Sequence, residues 1–210
     1  MNRCKKLRLL LFVCLLYGAS YAQIKTDLNS AYQSIIEYRL NGNKDSVTQK
    51  FIDLLGAARA QKNIEYQAKI YASLARQYIY TDSVKKEMAY ADSALMIAQN
   101  GSTLALAYGY AAKGAAYYDI GAADIATGFF DKAISILQNG KDDYLLANIY
   151  YNYSLLYTRL KNYPKALDMA KKAVVLSQKI RDYDRLTMNY TLVAGTYGVP
   201  VGGQPKGYPK

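Results

Sequence analysis

The chain has 210 residues, 51% hydrophobic and 20% charged, a balance that buries a core and is inconsistent with disorder. It contains no histidine and only two cysteines, which removes most zinc sites, the Ser-His-Asp triad and Cys-His nucleophile pairs. The formal net charge is +11, but the basic residues are scattered, with short pairs such as Lys85-Lys86 and no arginine-rich arm, so no nucleic-acid binding is expected.

Residues 1–22 read as a secretory signal peptide. Asn2 to Arg8 is a basic n-region, Leu9 to Gly18 is a short apolar core, and Ser20 and Ala22 place small residues before a cleavage point at Gln23. The apolar run is short for a membrane span, which needs about 20 residues. Cys14 follows Val13, where a lipoprotein signal would want a small residue. Cleavage after Ala22 removes four of the 27 basic residues and none of the 16 acidic ones, leaving +7. It also removes Cys4 and Cys14, so the expected product is exported, periplasmic or secreted, and has no disulfide.

Residues 23–63 predict two helices. Thr26-Asp27 can cap the first, which carries Leu28, Ala31, Ile35 and Tyr38 on one face and stops at Asn41-Gly42-Asn43. Asp45 or Ser46 can cap the second, with Val47, Phe51, Leu54 and Leu55 on one face. The pair reads as an atypical repeat or a capping hairpin.

From Ile64 to Tyr197 the pattern becomes regular. Counted from residues 68, 107, 147 and 187, positions 4, 7, 8 and 11 are Tyr71, Leu74, Ala75 and Tyr78 in the first unit. They recur as Tyr110, Lys113, Gly114 and Tyr117, then Tyr150, Tyr153, Ser154 and Tyr157, then Tyr190, Val193, Ala194 and Tyr197. A turn follows each complete run, at Thr81-Asp82-Ser83, Gly121 and Asn162-Tyr163-Pro164. A second apolar helix comes next, with Ala126 and Ala133, then Ala166 and Ala173, at positions 20 and 27. In the first unit Tyr90, Ala91, Ala94, Leu95 and Ile97 line that helix, but Glu87 stands at position 20. Position 32 is Gln99, Gln138 and Gln178, and Asn100-Gly101 and Asn139-Gly140 are placed to end helices.

This spacing has a mechanical sense. Small residues at positions 8, 20 and 27 let helices cross closely, and Gly114 marks the closest point. Tyrosine and leucine fill the space beside them. One hairpin cannot bury both its faces, so the units are expected to stack. The spacing of 39 to 40 residues leaves five or six residues beyond a 34-residue unit, expected to form a longer second helix and a longer connection. The last unit is half present. Residues 198–210 hold three prolines and four glycines, so they predict no helix and read as a unit cut short or, alternatively, as a natural disordered C-terminus.

In these features, and above all from Ala107 to Gly140, the chain resembles tetratricopeptide-repeat proteins. The resemblance implies an all-α fold, a right-handed superhelical solenoid of antiparallel helix pairs with about nine helices. It implies no catalysis, no cofactor and no metal. It further implies a concave groove, lined by the first helix of each unit, that takes a protein or peptide segment. Groove positions then fall on Lys69, Arg76 and Tyr80, on Tyr108 and Tyr118, and on Asn148, Tyr151 and Arg159. An exported array of this kind also resembles the N-terminal sensor portion of bacterial membrane-bound regulators. There the repeats precede a membrane span and a histidine kinase or a helix-turn-helix domain. Membrane attachment would come only through downstream sequence.

Overall fold

The computed structural model describes residues 26–40, 46–78, 83–138 and 142–197. The leader, Asn41-Gly42-Asn43, Asp45, Tyr80, Thr81-Asp82, Asn139-Gly140 and the Gly/Pro tail lie outside the described residues. The described residues form nine helices and no strand. In chain order these are α1 (Leu28–Leu40), α2 (Val47–Ala60), α3 (Ile64–Gln77), α4 (Val84–Ala98), α5 (Thr103–Asp119), α6 (Ala123–Leu137), α7 (Asp143–Arg159), α8 (Tyr163–Lys179) and α9 (Tyr183–Tyr197).

Side-chain oxygens begin most of these helices, each accepting a backbone N–H that the helix cannot satisfy itself. Asp27 accepts from Asn29, Asn63 from Tyr66, Ser102 from Ala105, Asp142 from Leu145 and Asn162 from Lys165. Pro164 occupies the first turn of α8, where a missing N–H costs nothing. Ser46 precedes α2 without capping it and donates instead to the Tyr38 hydroxyl at 2.8 Å.

Four helix ends share one compact turn. The N–H of Asn63 bonds to the Ala58 carbonyl oxygen, that of Ala122 to Tyr117, that of Asn162 to Tyr157 and that of Asp182 to Ser177. Each bond closes over a residue in the left-handed region: Lys62 (φ 53°), Gly121 (φ 81°), Lys161 (φ 58°) and Arg181 (φ 56°). Only one of the four is glycine.

Each helix packs on the next, and α3, α5, α7 and α9 also pack on one another. The first helices of the units therefore form one layer, with α4, α6 and α8 behind them. The all-α solenoid of antiparallel pairs expected from the sequence is the architecture found. The α1–α2 pair closes one end through its own core of Leu28, Tyr32, Ile35, Phe51 and Leu55, which also takes in Ile70 and Leu74 of α3.

The small positions lie where helices cross. Ala126, Ala133, Ala166 and Ala173 are fully buried, as are Ser154 and the three position-1 alanines Ala68, Ala107 and Ala147. At Gly114 a Cβ would stand 2.5 Å from the Phe130 ring. Gly109 is tighter in kind, because its Cβ would meet the Leu95 backbone at 2.7 Å. Side chains can adjust and backbone cannot, so α4 and α5 are fixed closest at Gly109.

One expectation is corrected. The residues beyond a 34-residue unit lengthen the second helix only in the third unit, where α8 has 17 residues against 15 in α4 and α6. They add a turn to the start of the first helix, since α3, α5, α7 and α9 each begin four residues before position 1. Ser102 and Asp142 are caps placed to start that added turn. Gln99 and Gln138 are C-caps as their position suggested, whereas Gln178 lies inside α8, which runs on to Lys179.

Candidate functional site

The layer of first helices presents two clusters of polar side chains, one toward its N-terminal end and one toward its C-terminal end. Tyr108 and Tyr118 of α5 belong to the two clusters. Ten residues separate them, about 15 Å along a helix.

The N-terminal cluster is built around Lys69. Its Nζ lies 4.5 Å from the ring centre of Tyr32 in α1, 5.6 Å from that of Tyr66 and 5.4 Å from that of Tyr108. Three aromatic faces attract a cation electrostatically. Burial still depresses the Lys69 ammonium below its ordinary range, opposed by the charges of Asp142 and Glu65. The rings are themselves fixed. Tyr32 shares a hydrogen bond with Ser73 at 2.7 Å, Tyr66 donates to Asn29 at 3.1 Å, and the Tyr108 hydroxyl donates to the Asp142 carboxylate. Burial raises the Tyr32 and Tyr108 phenols, and for Tyr108 the neighbouring Asp142 charge raises it further. Asp142 thus serves twice, as the cap of α7 and as the acceptor for Tyr108.

The C-terminal cluster joins α4, α5 and α7. The exposed Arg159 guanidinium stacks on the half-buried Tyr118 ring. Beside it stands Asp119, the last residue of α5, which meets Glu87 from the first turn of α4. Glu87 is only 1% exposed. Arg76, partly buried near the end of α3, bears electrostatically on Tyr32.

The eight sequence-derived groove residues therefore divide. Lys69, Arg76, Tyr118, Tyr151 and Arg159 keep part of their surface on the first-helix layer. Tyr108 and Asn148 are 5% and 8% exposed and form its floor; Asn148 accepts from the Asn152 amide at 3.2 Å. Tyr80 lies outside the described residues. Sequence reasoning missed Tyr32 and Tyr66 as partners of Lys69, and it missed the meeting of Glu87 with Asp119. Glu87 did leave a trace, since it replaces alanine at a close crossing.

Elsewhere in the array cations take similar partners. Lys113 is buried, reaches Asp92 at 2.6 Å and lies 4.7 Å from the Tyr117 ring. Lys50 sits over Tyr38 and Lys165 over Tyr157. Two further ion pairs, Lys172–Asp168 and Lys179–Asp143, are well exposed on the lysine side. Among the described residues no group of three or more metal-ligating side chains comes together, and no helix is long and apolar enough to cross a membrane.

Comparison with protein-family profiles gives no match, and neither does comparison with curated protein sequences. Solved structures do match. A signal transduction ATPase with a tetratricopeptide repeat sensor, from Pyrococcus horikoshii, is similar at 17% identity and TM-score 0.53, over 84% of this chain and 28% of that one. Aspartyl phosphate phosphatase F from Bacillus subtilis is similar at 19% identity and TM-score 0.58, over 87% of this chain and 49% of that one. BtubC from P. vanneervenii is similar at 17% identity and TM-score 0.55, over 81% of each chain. The chain thus spans under half the length of two of the three. At such identities the likeness is one of fold. With three in-phase helix pairs, a further first helix and a single layer of first helices, the chain has a tetratricopeptide-repeat fold.

Proposed function

We propose that the chain is an exported, non-catalytic scaffold that binds a protein or peptide segment along its first-helix layer. The observation that carries this reading is the layer itself. It holds Lys69, Arg76, Tyr118, Tyr151 and Arg159 with part of each side chain exposed, on backbones fixed by close helix crossings. Tyrosine and arginine are the residue types that dominate binding hot spots, because each offers large contact area and a polar end. The fixed rings around Lys69 also mean little ordering is needed when a partner arrives.

Export rests on residues 1–22, read as a cleaved signal peptide. A fusion of residues 1–30 to a reporter active only outside the cytoplasm tests it; an inactive fusion would refute export.

Binding is tested with a photo-crosslinking amino acid at Tyr151, compared with one at Met96 on α4, which is 66% exposed. The expected result is a discrete adduct from Tyr151 alone, lost in an Arg76→Ala/Arg159→Ala variant that circular dichroism shows to be folded at the assay temperature. Equal adducts from both positions would place binding elsewhere.

A second reading is a periplasmic sensor region of a membrane-bound histidine kinase or helix-turn-helix regulator. It is favoured by the sensor role that the Pyrococcus horikoshii ATPase assigns to its tetratricopeptide repeats. An apolar stretch of about 20 residues encoded downstream would support it. A stop codon in that frame would remove it.

A further inference from the structure

Position 20 of a unit is where the second helix crosses the first, and Ala126 and Ala166 fill it with a methyl group that is fully buried. In the first unit the same position holds Glu87, and it is no less buried, at 1% exposure. Its carboxyl group cannot reach water there. It meets Asp119, so two acidic side chains face one another where α4 begins and α5 ends. Among the described residues, Glu87 Oε1 and Asp119 Oδ2 are both buried without a hydrogen-bond partner.

Two ionised carboxylates in contact and out of water are doubly unfavourable, through lost hydration and through like-charge repulsion. One proton between them removes both difficulties. It cancels one charge and converts an acceptor–acceptor contact into an O–H···O hydrogen bond, one of the stronger kinds. We propose that Glu87 and Asp119 share a single proton that latches the first turn of α4 to the last turn of α5, and that mild base, by removing it, releases this corner of the solenoid.

The surroundings agree on where the proton sits. Burial, and then the Asp119 charge, push the Glu87 carboxyl up to about 8. Burial also raises Asp119, but the hydrogen bond from Glu87 and the positive Arg159 oppose that rise. The proton therefore resides on Glu87 and the negative charge on Asp119, facing Arg159. Among the described residues no other charge bears on the pair. On α5, Lys113 is committed to Asp92. On α4, Lys86 lies over the Tyr78 ring of the α3 end, and Lys85 is exposed. On α3, Arg76 bears on Tyr32.

The direction of the pH effect follows. A carboxyl raised in the folded state keeps its proton where the unfolded chain has lost it. The latch therefore contributes fully below the ordinary glutamate value of 4.5 and is lost as pH rises toward about 8.

The inference does not depend on the groove, and it can be tested without a partner. In urea denaturation of the full chain, the wild-type folding constant should fall between pH 5 and 8 relative to Glu87→Gln. The ceiling is about tenfold per pH unit. The infrared spectrum at pH 7 should show the carbonyl stretch of a protonated carboxylic acid, absent from Glu87→Gln and weakened in Asp119→Asn. Should Glu87→Gln fail to fold, the wild-type band and its weakening in Asp119→Asn still decide. No acid band in the wild type at pH 7, or parallel stability profiles for wild type and Glu87→Gln, would overturn the proposal.

Discussion

Arg159 and Tyr118 are joined twice: the guanidinium carbon lies 4.1 Å from the centre of the ring, and Nη1 donates to the Tyr118 carbonyl oxygen at 2.7 Å. That carbonyl lies in the last turn of α5, where the helix dipole is negative, and it also accepts the Gly121 N–H at 3.0 Å. One side chain from α7 thus ties down the end of the neighbouring first helix. Arg159→Ala is expected to cost about 1–2 kcal/mol in urea denaturation. Arg159→Lys should recover less than half of that, because an ammonium cannot stack flat and donate sideways at once. Full recovery by lysine would show that only the charge matters.

Gly114 and Gly128 make a matched pair of substitutions. Both are helical, but a Cβ at Gly114 strikes the fully buried Phe130 ring, while one at Gly128 meets nothing within 4 Å. Gly114→Ala should destabilise by about 1–3 kcal/mol through overpacking, and Gly114→Leu by more. Gly128→Ala should stabilise by about 0.5–1 kcal/mol through helix propensity. Phe130→Leu should relieve part of the Gly114→Ala penalty, a coupling that a double-mutant cycle measures.

The left-handed turn residues give opposite expectations for one exchange. Lys161→Gly should stabilise by about 0.5–1 kcal/mol, because lysine is strained at φ 58°. Gly121→Ala should destabilise by about 1 kcal/mol, although nothing lies within 4 Å of its Cβ direction. Thermal melts of the two variants should move in opposite directions. Shifts of the same sign would mean that backbone conformation is not what decides at these turns.

Tyrosine supplies a second pH effect. Burial raises the phenols of Tyr32, Tyr108 and Tyr153, so the fold holds them neutral where the unfolded chain ionises them. The stability they contribute is complete below the ordinary value of 10.0 and falls as pH rises beyond it. Absorbance titration should show these rings ionising only when the chain unfolds. Tyr108→Phe should reduce the loss of stability in strong base while costing some at neutral pH, since the Asp142 carboxylate loses its donor. Ionisation of every ring in one normal step, before unfolding, would contradict the burial described.

Much of this fold is legible in the sequence, because small residues at fixed intervals have few other uses. Ala75, Gly114 and Ser154 recur in phase with Ala126, Ala133, Ala166 and Ala173, and that phase alone implies stacked helix pairs. The surplus residues were harder to place. A turn added to the start of a first helix and a turn added to the end of a second differ only in which side of the cap they fall, and Ser102 and Asp142 decide that locally. The site was legible in part. Lys69 and Tyr108 lie 39 residues apart, one unit, so periodicity finds both. Tyr32 stands in the atypical hairpin, outside the repeat register, and only the packing of α1 brings it to Lys69. Periodicity cannot separate a tyrosine that faces a groove from one that forms its floor, since both occupy the same helical stripe.

The choice of rings as partners for cations has one more consequence. A carboxylate loses its attraction for lysine once it is protonated, whereas the face of a tyrosine ring has no proton to gain. Lys69 over Tyr32, Tyr66 and Tyr108, Arg159 over Tyr118 and Lys165 over Tyr157 should hold in acid as they do at neutrality. Ion pairs do stand to be lost, among them Lys172–Asp168 in solvent, Lys179–Asp143 with its lysine exposed, and Lys113–Asp92 with Tyr117 beside it. The positive charges seated on rings are therefore moored to acid-resistant partners, a property that a conventional lacework of surface salt bridges would not confer.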